Sequence, residues 1–106
     1  MWTIEAVNRG AEREFESLPQ DMRAGALKIL GMLTTEGPDR IHMPYVRPLA
    51  NKIWEIRVNG ASGIGRVIYT LRSGRRLVIL HTFIKKTRKT PAGAIQLALD
   101  RLREWP

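Results

Sequence analysis

The sequence predicts an α+β domain: a small antiparallel sheet built from an N-terminal strand and a three-stranded meander, with a helical hairpin near the N-terminus and one helix at the C-terminus. Three observations carry this. Leu77, Val78, Ile79 and Leu80, followed by Phe83 and Ile84, form an apolar run with no polar alternation, the pattern of a strand buried on both faces. Two strand-like stretches precede it across glycine-containing turns. Segments at both ends of the chain repeat their apolar residues at helical spacing. With 106 residues and neither linker nor internal repeat, the chain reads as a single domain spanning 1–106 with room for one core.

Each element follows from local pattern. Trp2, Ile4 and Ala6 alternate with Thr3 and Glu5, which predicts a short strand with one face on the core. Ala11, Phe15 and Leu18 keep helical spacing from Arg9 onward, and Pro19 ends that helix and opens the next. Met22, Ala26, Ile29, Leu30 and Leu33 define an amphipathic helix that stops near Gly37 and Pro38. Residues 37–52 carry Pro38, Pro44 and Pro48, so an extended crossing segment with at most an edge strand is expected there. IWEIRV then alternates, with Trp54, Ile56 and Val58 on one face.

A turn over Asn59 to Gly63 leads into IGRVIYTLR, and Ser73-Gly74 returns the chain into the central strand. A first hairpin folded about its midpoint sets Trp54 opposite Tyr69, Ile56 opposite Val67, and Arg57 opposite Arg66. A two-residue turn at Ser73-Gly74 sets Arg66 opposite His81. Arg57, Arg66, His81 and Phe83 then share one face, with Arg66 facing solvent, while Trp54, Ile56, Val67, Tyr69, Val78 and Leu80 share the other. Finally Thr90 is placed to cap a helix begun by Pro91, with Ile95, Ala98, Leu99 and Leu102 buried and Asp100, Arg101, Arg103 and Glu104 wet.

The formal charge is +8, and it is unevenly spread. Residues 1–46 sum to −2, whereas residues 47–106 carry thirteen basic residues against Glu55, Asp100 and Glu104. Lys85, Lys86, Arg88 and Lys89 follow directly on the apolar strand, so a rigid strand delivers a cationic cluster to one edge of the domain. A polyanion is the partner such a surface suits, with a solvated basic loop as the plainer alternative. The lack of cysteine excludes disulfides, thiolate metal sites and thiol nucleophiles, and fits a reducing cytosol. With no membrane-spanning run and no signal pattern in MWTIEAVNRG, a cytoplasmic location is expected. The two histidines lie apart and the acids do not cluster, so no metal and no other cofactor is expected. GASGIG lacks the lysine and helix start of a nucleotide-binding loop.

The combination of IWEIRV, GRVIYTL and LVILHTFIKKTRKTP, followed by an alanine-containing helix, resembles the phage-derived, HigB-like branch of the RelE/HigB toxin superfamily. The likeness is carried by residues 45–104; residues 1–44 add only the order of elements. It implies a RelE-like fold: a small twisted antiparallel sheet with two helices against one face and a concave basic surface on the other. It also implies the toxin of a type II toxin-antitoxin pair, which cuts mRNA in the ribosomal A site by attack of the ribose 2′-oxygen on the adjacent phosphate, without a metal. The implied partners are the ribosome, mRNA and an antitoxin from an adjacent gene, with a helix-turn-helix domain by analogy.

Such cleavage needs an acceptor for the 2′-OH proton, cations for the phosphorane and a donor for the leaving 5′-oxygen. Arg66 matches the motif arginine, whose planar guanidinium can hold a phosphate bidentately. Arg57 stands beside it in the expected register, with pairing to Glu55 or Asp100 as the alternative role. Lys85 and Lys86 match the motif lysines, and Lys85 has the strand parity of His81 and Phe83. The catalytic expectation is therefore Arg66, Lys85, Arg57 and Lys86. Lys52 is a weaker cation of the same kind.

Arg47, Arg72, Arg75, Arg76, Arg88 and Lys89 are expected to hold RNA backbone. His81 is either a core histidine or part of the RNA surface, Phe83 either packs or stacks on a base, and Tyr69 matches the motif tyrosine but in the expected register packs against Trp54. His42 reads as structural or incidental. A non-catalytic nucleic-acid-binding module and a phage protein-interaction domain are the competing classes; only an enzyme needs Arg66 for activity rather than affinity.

Overall fold

In the computed structural model of this chain, which describes residues 1–41, 45–50 and 52–105, the elements run β1 (Thr3–Ala6), α1 (Arg9–Glu16), α2 (Gln20–Glu36), β2 (Val46–Ala50), β3 (Ile53–Gly60), β4 (Gly63–Arg72), β5 (Arg76–Lys85) and α3 (Ala92–Glu104). His42 and Pro44 lie outside the described residues. Asn8 caps α1 by accepting the Ala11 N–H at 2.8 Å, and Pro19 separates it from α2. Gly37, at φ 100, ends α2 in a conformation that side chains disfavour. The buried residues of α2 are the predicted stripe, Met22, Ala26, Ile29, Leu30 and Leu33.

One five-stranded sheet has the order β1-β5-β4-β3-β2. The proline-rich stretch supplies β2 as an edge strand, and β5 is interior although β4 holds the middle position. The sheet is not wholly antiparallel, because β1 pairs parallel to β5, with the intervening helices and meander serving as the long crossover that parallel pairing requires. As an edge strand, β1 is only half covered, and Ile4 is 43 % exposed rather than seated in the core.

Two apolar layers flank the sheet. Leu18, Met22, Leu30 and Leu33 pack with Ile56, Val67, Tyr69, Leu77 and Ile79 on one side, and Ile53, Ile68, Val78, Leu80 and Ala98 join under α3 on the other. This explains why β5 shows no polar alternation: its odd and even residues enter different cores. α3 covers part of the second face.

The first hairpin has the expected pairs, Trp54 with Tyr69, Ile56 with Val67 and Arg57 with Arg66. The second does not. Its connection is Ser73, Gly74 and Arg75, with Gly74 at φ 81 and Arg75 at φ 55, and a bulge follows between the Tyr69–Ile79 and Ile68–His81 pairs. Each irregularity shifts the register by one residue in the same sense. Arg66 therefore meets Phe83 rather than His81, with its face unchanged. Val78 and Leu80, expected on the face of Val67 and Tyr69, lie instead in the α3 core on the face of Arg66.

Glu14 ties α1, β5 and α3 together. It accepts from Arg101 Nη1 and Nη2 at 2.8 and 2.9 Å and from the Thr82 N–H at 3.2 Å, and His81 Nδ1 lies 2.8 Å away. Arg101, expected on the wet face of α3, turns inward to this carboxylate and to the Leu80 carbonyl. Burial alone would raise the Glu14 pKa, but the hydrogen bonds from Arg101, His81 and Thr82 outweigh it and hold the carboxyl below its usual 4.5. A depressed folded-state pKa contributes stability that is complete above the unfolded value and is lost as pH falls through the folded one. Unfolding by urea at a series of pH values should thus show stability dropping below about pH 4.5, and Glu14→Gln should lower stability at pH 7 while flattening that acid limb. An unchanged acid limb in Glu14→Gln would remove this assignment.

Candidate active site and nucleic-acid interface

Adjacent strands bring the two arginines together. Arg57 on β3 and Arg66 on β4 are direct cross-strand partners, and Arg47 on β2 is opposite Glu55 on the same sheet face. Arg66 does not face solvent as expected: it is 0 % exposed, beneath the chain that links β5 to α3. Its Nη2 donates to the Thr87 carbonyl, and Arg57 Nη2 donates to the Arg88 carbonyl. The register explains the burial, since Phe83 sits opposite Arg66 and the following residues turn back across it. The Arg66 guanidinium is centred 6.0 Å from the Phe83 ring, and Phe83 in turn stacks on His81 at 4.9 Å.

Glu55, also 0 % exposed, is the counter-ion of this cluster. Arg57 Nε donates to its Oε1 at 2.5 Å, Thr90 Oγ1 donates to its Oε2, and Arg66 Nε stands 3.9 Å from Oε2. Thr90 does not cap α3 as expected; its hydroxyl is engaged with Glu55 instead, and Pro91 occupies the cap position without a side-chain hydrogen bond. The site therefore sets Arg57 and Arg66 around one carboxylate, with Arg47 exposed on the neighbouring strand. Burial, with the charges of Arg57 and Arg47 adding to it and Glu55 opposing, lowers the Arg66 pKa from its usual 12.5. Arg66 Nε and Nη1 are buried with no hydrogen-bond acceptor among the described residues. Buried donors left open cost about 1–3 kcal/mol each, so stability alone does not account for an arginine here.

Other candidate residues divide by position. Arg88, Lys89 and Arg47 line a cleft with Arg57. Lys85 pairs with Ile64, which puts it on the Arg66 face, and both Lys85 and Lys86 are exposed at the same end of the sheet. Lys52, at φ 70, is exposed between β2 and β3, and its carbonyl accepts from Thr70. Arg72, Arg75 and Arg76 lie at the opposite end of β5. There Arg72 and Arg76 stand over Trp105, at 5.5 and 4.7 Å, and Arg76 makes a bidentate pair with Glu5. Tyr69 stacks on Trp54 at 6.0 Å, and burial pushes its phenol pKa well up.

The pairing of Arg57 with Glu55, expected from the sequence as one alternative, is present, but the burial of Glu55 and its approach to Arg66 were not foreseen, although a carboxylate two residues from Arg57 on a strand shares the face of both arginines. The contributions of Thr87 and Thr90 had no such signal.

The description "Phage derived protein Gp49-like" matches residues 13–103 of the chain. The probable endoribonuclease HigB1 of Mycobacterium tuberculosis, in the CDC 1551 / Oshkosh and H37Rv strains alike, is 34 % identical over 94 residues, spanning 89 % of this chain and 72 % of the relative. Among solved structures, the archaeal RelE-RelB complex from Pyrococcus horikoshii OT3 contains a chain that superposes with a TM-score of 0.54 at 18 % identity, covering 83 % of this chain and 98 % of that one.

Proposed function

The chain belongs to the phage-derived Gp49-like family within the RelE/HigB toxin superfamily, and we propose that it is the toxin of a type II toxin-antitoxin pair, a metal-independent endoribonuclease that cleaves mRNA in the ribosomal A site and halts translation. The observation that carries this reading is the paired guanidinium site: Arg57 and Arg66 side by side around Glu55, with two Arg66 nitrogens lacking an acceptor among the described residues. Two guanidinium groups around one carboxylate, with Arg47 on the neighbouring strand, leave an excess of positive charge that a phosphodiester, and still more a dianionic phosphorane, would neutralise.

In this mechanism the 2′-oxygen of the ribose attacks the adjacent phosphorus, the bond to the 5′-oxygen breaks, and the products are a cyclic phosphate and a 5′-hydroxyl. Arg57 and Arg66 exchange the Arg88 and Thr87 carbonyls for phosphate oxygens. The chain across Arg66 must lift for this exchange to occur. Lys85, with Lys86 beside it, supplies charge to the leaving side and donates the proton that the 5′-oxygen takes up, while the 2′-OH proton passes to water or a ribosomal group. Arg47, Lys52, Arg88 and Lys89 hold the flanking backbone, and Arg72, Arg75 and Arg76 the ribosomal RNA at the far end. His81 and Phe83 back the site, and Phe83 supplies an aromatic face that can meet a base.

An antitoxin encoded beside this gene, with a helix-turn-helix domain, silences the protein in the cytoplasm. It covers the basic face or holds the toxin in a complex too large for the A site. Induction in growing bacteria should arrest growth and create new mRNA 5′ ends within codons, and co-expression of the neighbouring gene should relieve both. Arrest without new ends would favour a binding module over a nuclease.

A further inference from the structure

Leu80 has no cross-strand partner: β5 pairs Ile79 with Tyr69 and His81 with Ile68, so one residue is extra at that point. An extra residue reverses the parity of everything beyond it. Before the bulge, Leu77 and Ile79 enter the core under the helical hairpin; beyond it the odd-numbered Phe83 turns to the α3 side and Ile84 to the hairpin side. The bulge therefore decides that Phe83 and Lys85 stand on the face of Arg66. β1 ends at Ala6, and at the bulge two backbone groups of β5 are met by side chains instead of a strand. Arg101 Nη1 donates to the Leu80 carbonyl at 2.9 Å, and Glu14 Oε1 accepts the Thr82 N–H at 3.2 Å. Arg101 and Glu14 are also joined to each other by two hydrogen bonds. We propose that this ion pair is a clamp on the bulge, and that Glu14 and Arg101 are positioning residues for the arginine site. The inference rests on the nuclease reading for what the positioned residues do; the clamp itself does not.

Local preference favours the other register. In a continuous ladder Phe83 would enter the hairpin core and Thr82 would face the cations. In the bulged strand Thr82 is instead 3 % exposed, its hydroxyl is buried with no hydrogen-bond partner among the described residues, and Phe83 is only partly covered. Both placements are unfavourable, so a contact outside the strand must hold them. Conflicts of this kind between local preference and fold are characteristic of functional sites. The clamp is specific to the bulge, because in a continuous ladder Ile79 and His81 would share the β1 edge and the Thr82 N–H would turn toward β4. Fixing a register is the best-attested use of such a charge pair. A tie between α1 and α3 alone would need only the Glu14–Arg101 contact, and gives neither partner a reason to reach the β5 backbone. From the clamp the contacts continue to the site. His81, with Nδ1 at 2.8 Å from Glu14, stacks on Phe83, and Phe83 lies opposite Arg66 with its ring 6.0 Å from the guanidinium.

The test combines NMR of the full chain with cleavage kinetics on programmed ribosomes. In the parent protein, NOEs should connect the Phe83 ring to the Arg66 side chain. In Glu14→Leu these NOEs should disappear while those between Arg57 and Arg66 across β3 and β4 remain. The same variant should lose about 10²-fold in kcat with KM little changed, the loss expected when a group near the reacting atoms moves by about 1 Å. Arg101→Met should behave like Glu14→Leu, whereas Arg101→Lys, which can still donate to Glu14 and to the Leu80 carbonyl, should keep the NOEs and most of the rate. Glu14→Gln retains one acceptor for the Thr82 N–H and serves if Glu14→Leu does not fold; its Phe83–Arg66 NOEs should weaken and its kcat should fall. A merely structural pair would lower the unfolding midpoint and leave the NOEs and the kcat of the folded protein as they were. Intact NOEs in folded Glu14→Leu or Glu14→Gln overturn the clamp whatever the activity. If the parent cuts no RNA and the NOEs still vanish, the nuclease reading falls and the clamp stands.

Discussion

Arg66→Ala should eliminate RNA cleavage and, because Arg66 is buried, should also destabilise the fold, by about 3 kcal/mol, the lower end of what breaking a buried ion pair costs. The lower end is expected because Glu55 would keep Arg57 and Thr90 as partners. Loss of activity in this variant alone would not separate chemistry from folding. Arg66→Met combined with Glu55→Gln makes the separation. Methionine restores apolar stem volume, the amide oxygen introduced at position 55 still accepts from Arg57 while the amide nitrogen can donate to the Thr90 hydroxyl, and neither wholly buried charge remains. Unfolding by urea should show most of the lost stability recovered, while mapping of RNA 5′ ends should show no cleavage. Arg66→Lys keeps the charge and loses the fork, so its cleavage rate should fall about 10²–10³-fold, the loss associated with one misplaced transition-state donor. Cleavage at the parental rate by the folded double variant would remove Arg66 from the chemistry.

The burial of Arg66 was invisible in the sequence for physical reasons. The period of 3.6 in α2 and the glycines around the first turn are local signals, and from them the helix stripe and the Arg57–Arg66 pairing were legible. The second hairpin broke the pattern because Arg75 takes a left-handed conformation that only glycine or asparagine commonly advertises, and because the bulge near Leu80 leaves no compositional trace. The cover over Arg66 comes from backbone carbonyls twenty or more residues away, which no side-chain pattern encodes. Arg101 and Glu14 fail for the same reason, since they meet across almost the whole chain. A charged residue reads as wet until its partner is placed, so sequence reasoning paired Arg57 with Arg66 and misjudged the exposure of Arg66.

The second large effect is expected from the ribosome. A metal-free nuclease acting alone needs a base for the 2′-OH and an acid for the 5′-oxygen, each worth about 10²–10⁴ in rate. Among the described residues no base stands ready in the free protein, and the lysine donors are not yet placed against a leaving oxygen. Both Glu55 oxygens already accept hydrogen bonds inside the fold, and His81 is tied through Nδ1 to Glu14 with its side chain only 13 % exposed. Lys85 and Lys86 are exposed, but an ammonium offers donors and no acceptor. What the proposed site holds is an excess of guanidinium charge, under a chain that would have to be displaced before a phosphate could reach Arg66. A ribosome that presents mRNA in a strained, in-line conformation supplies the missing orientation, and its own groups can take part in proton transfer. A defined mRNA should therefore be cut at least about 10²-fold faster on programmed ribosomes than as naked RNA at the same protein concentration. The contrast should persist in moderate salt, because it originates in positioning rather than in long-range attraction. Equal rates on naked and ribosome-bound RNA would mean that the free protein carries its own acid and base, and would turn the search back to His81 and Glu55.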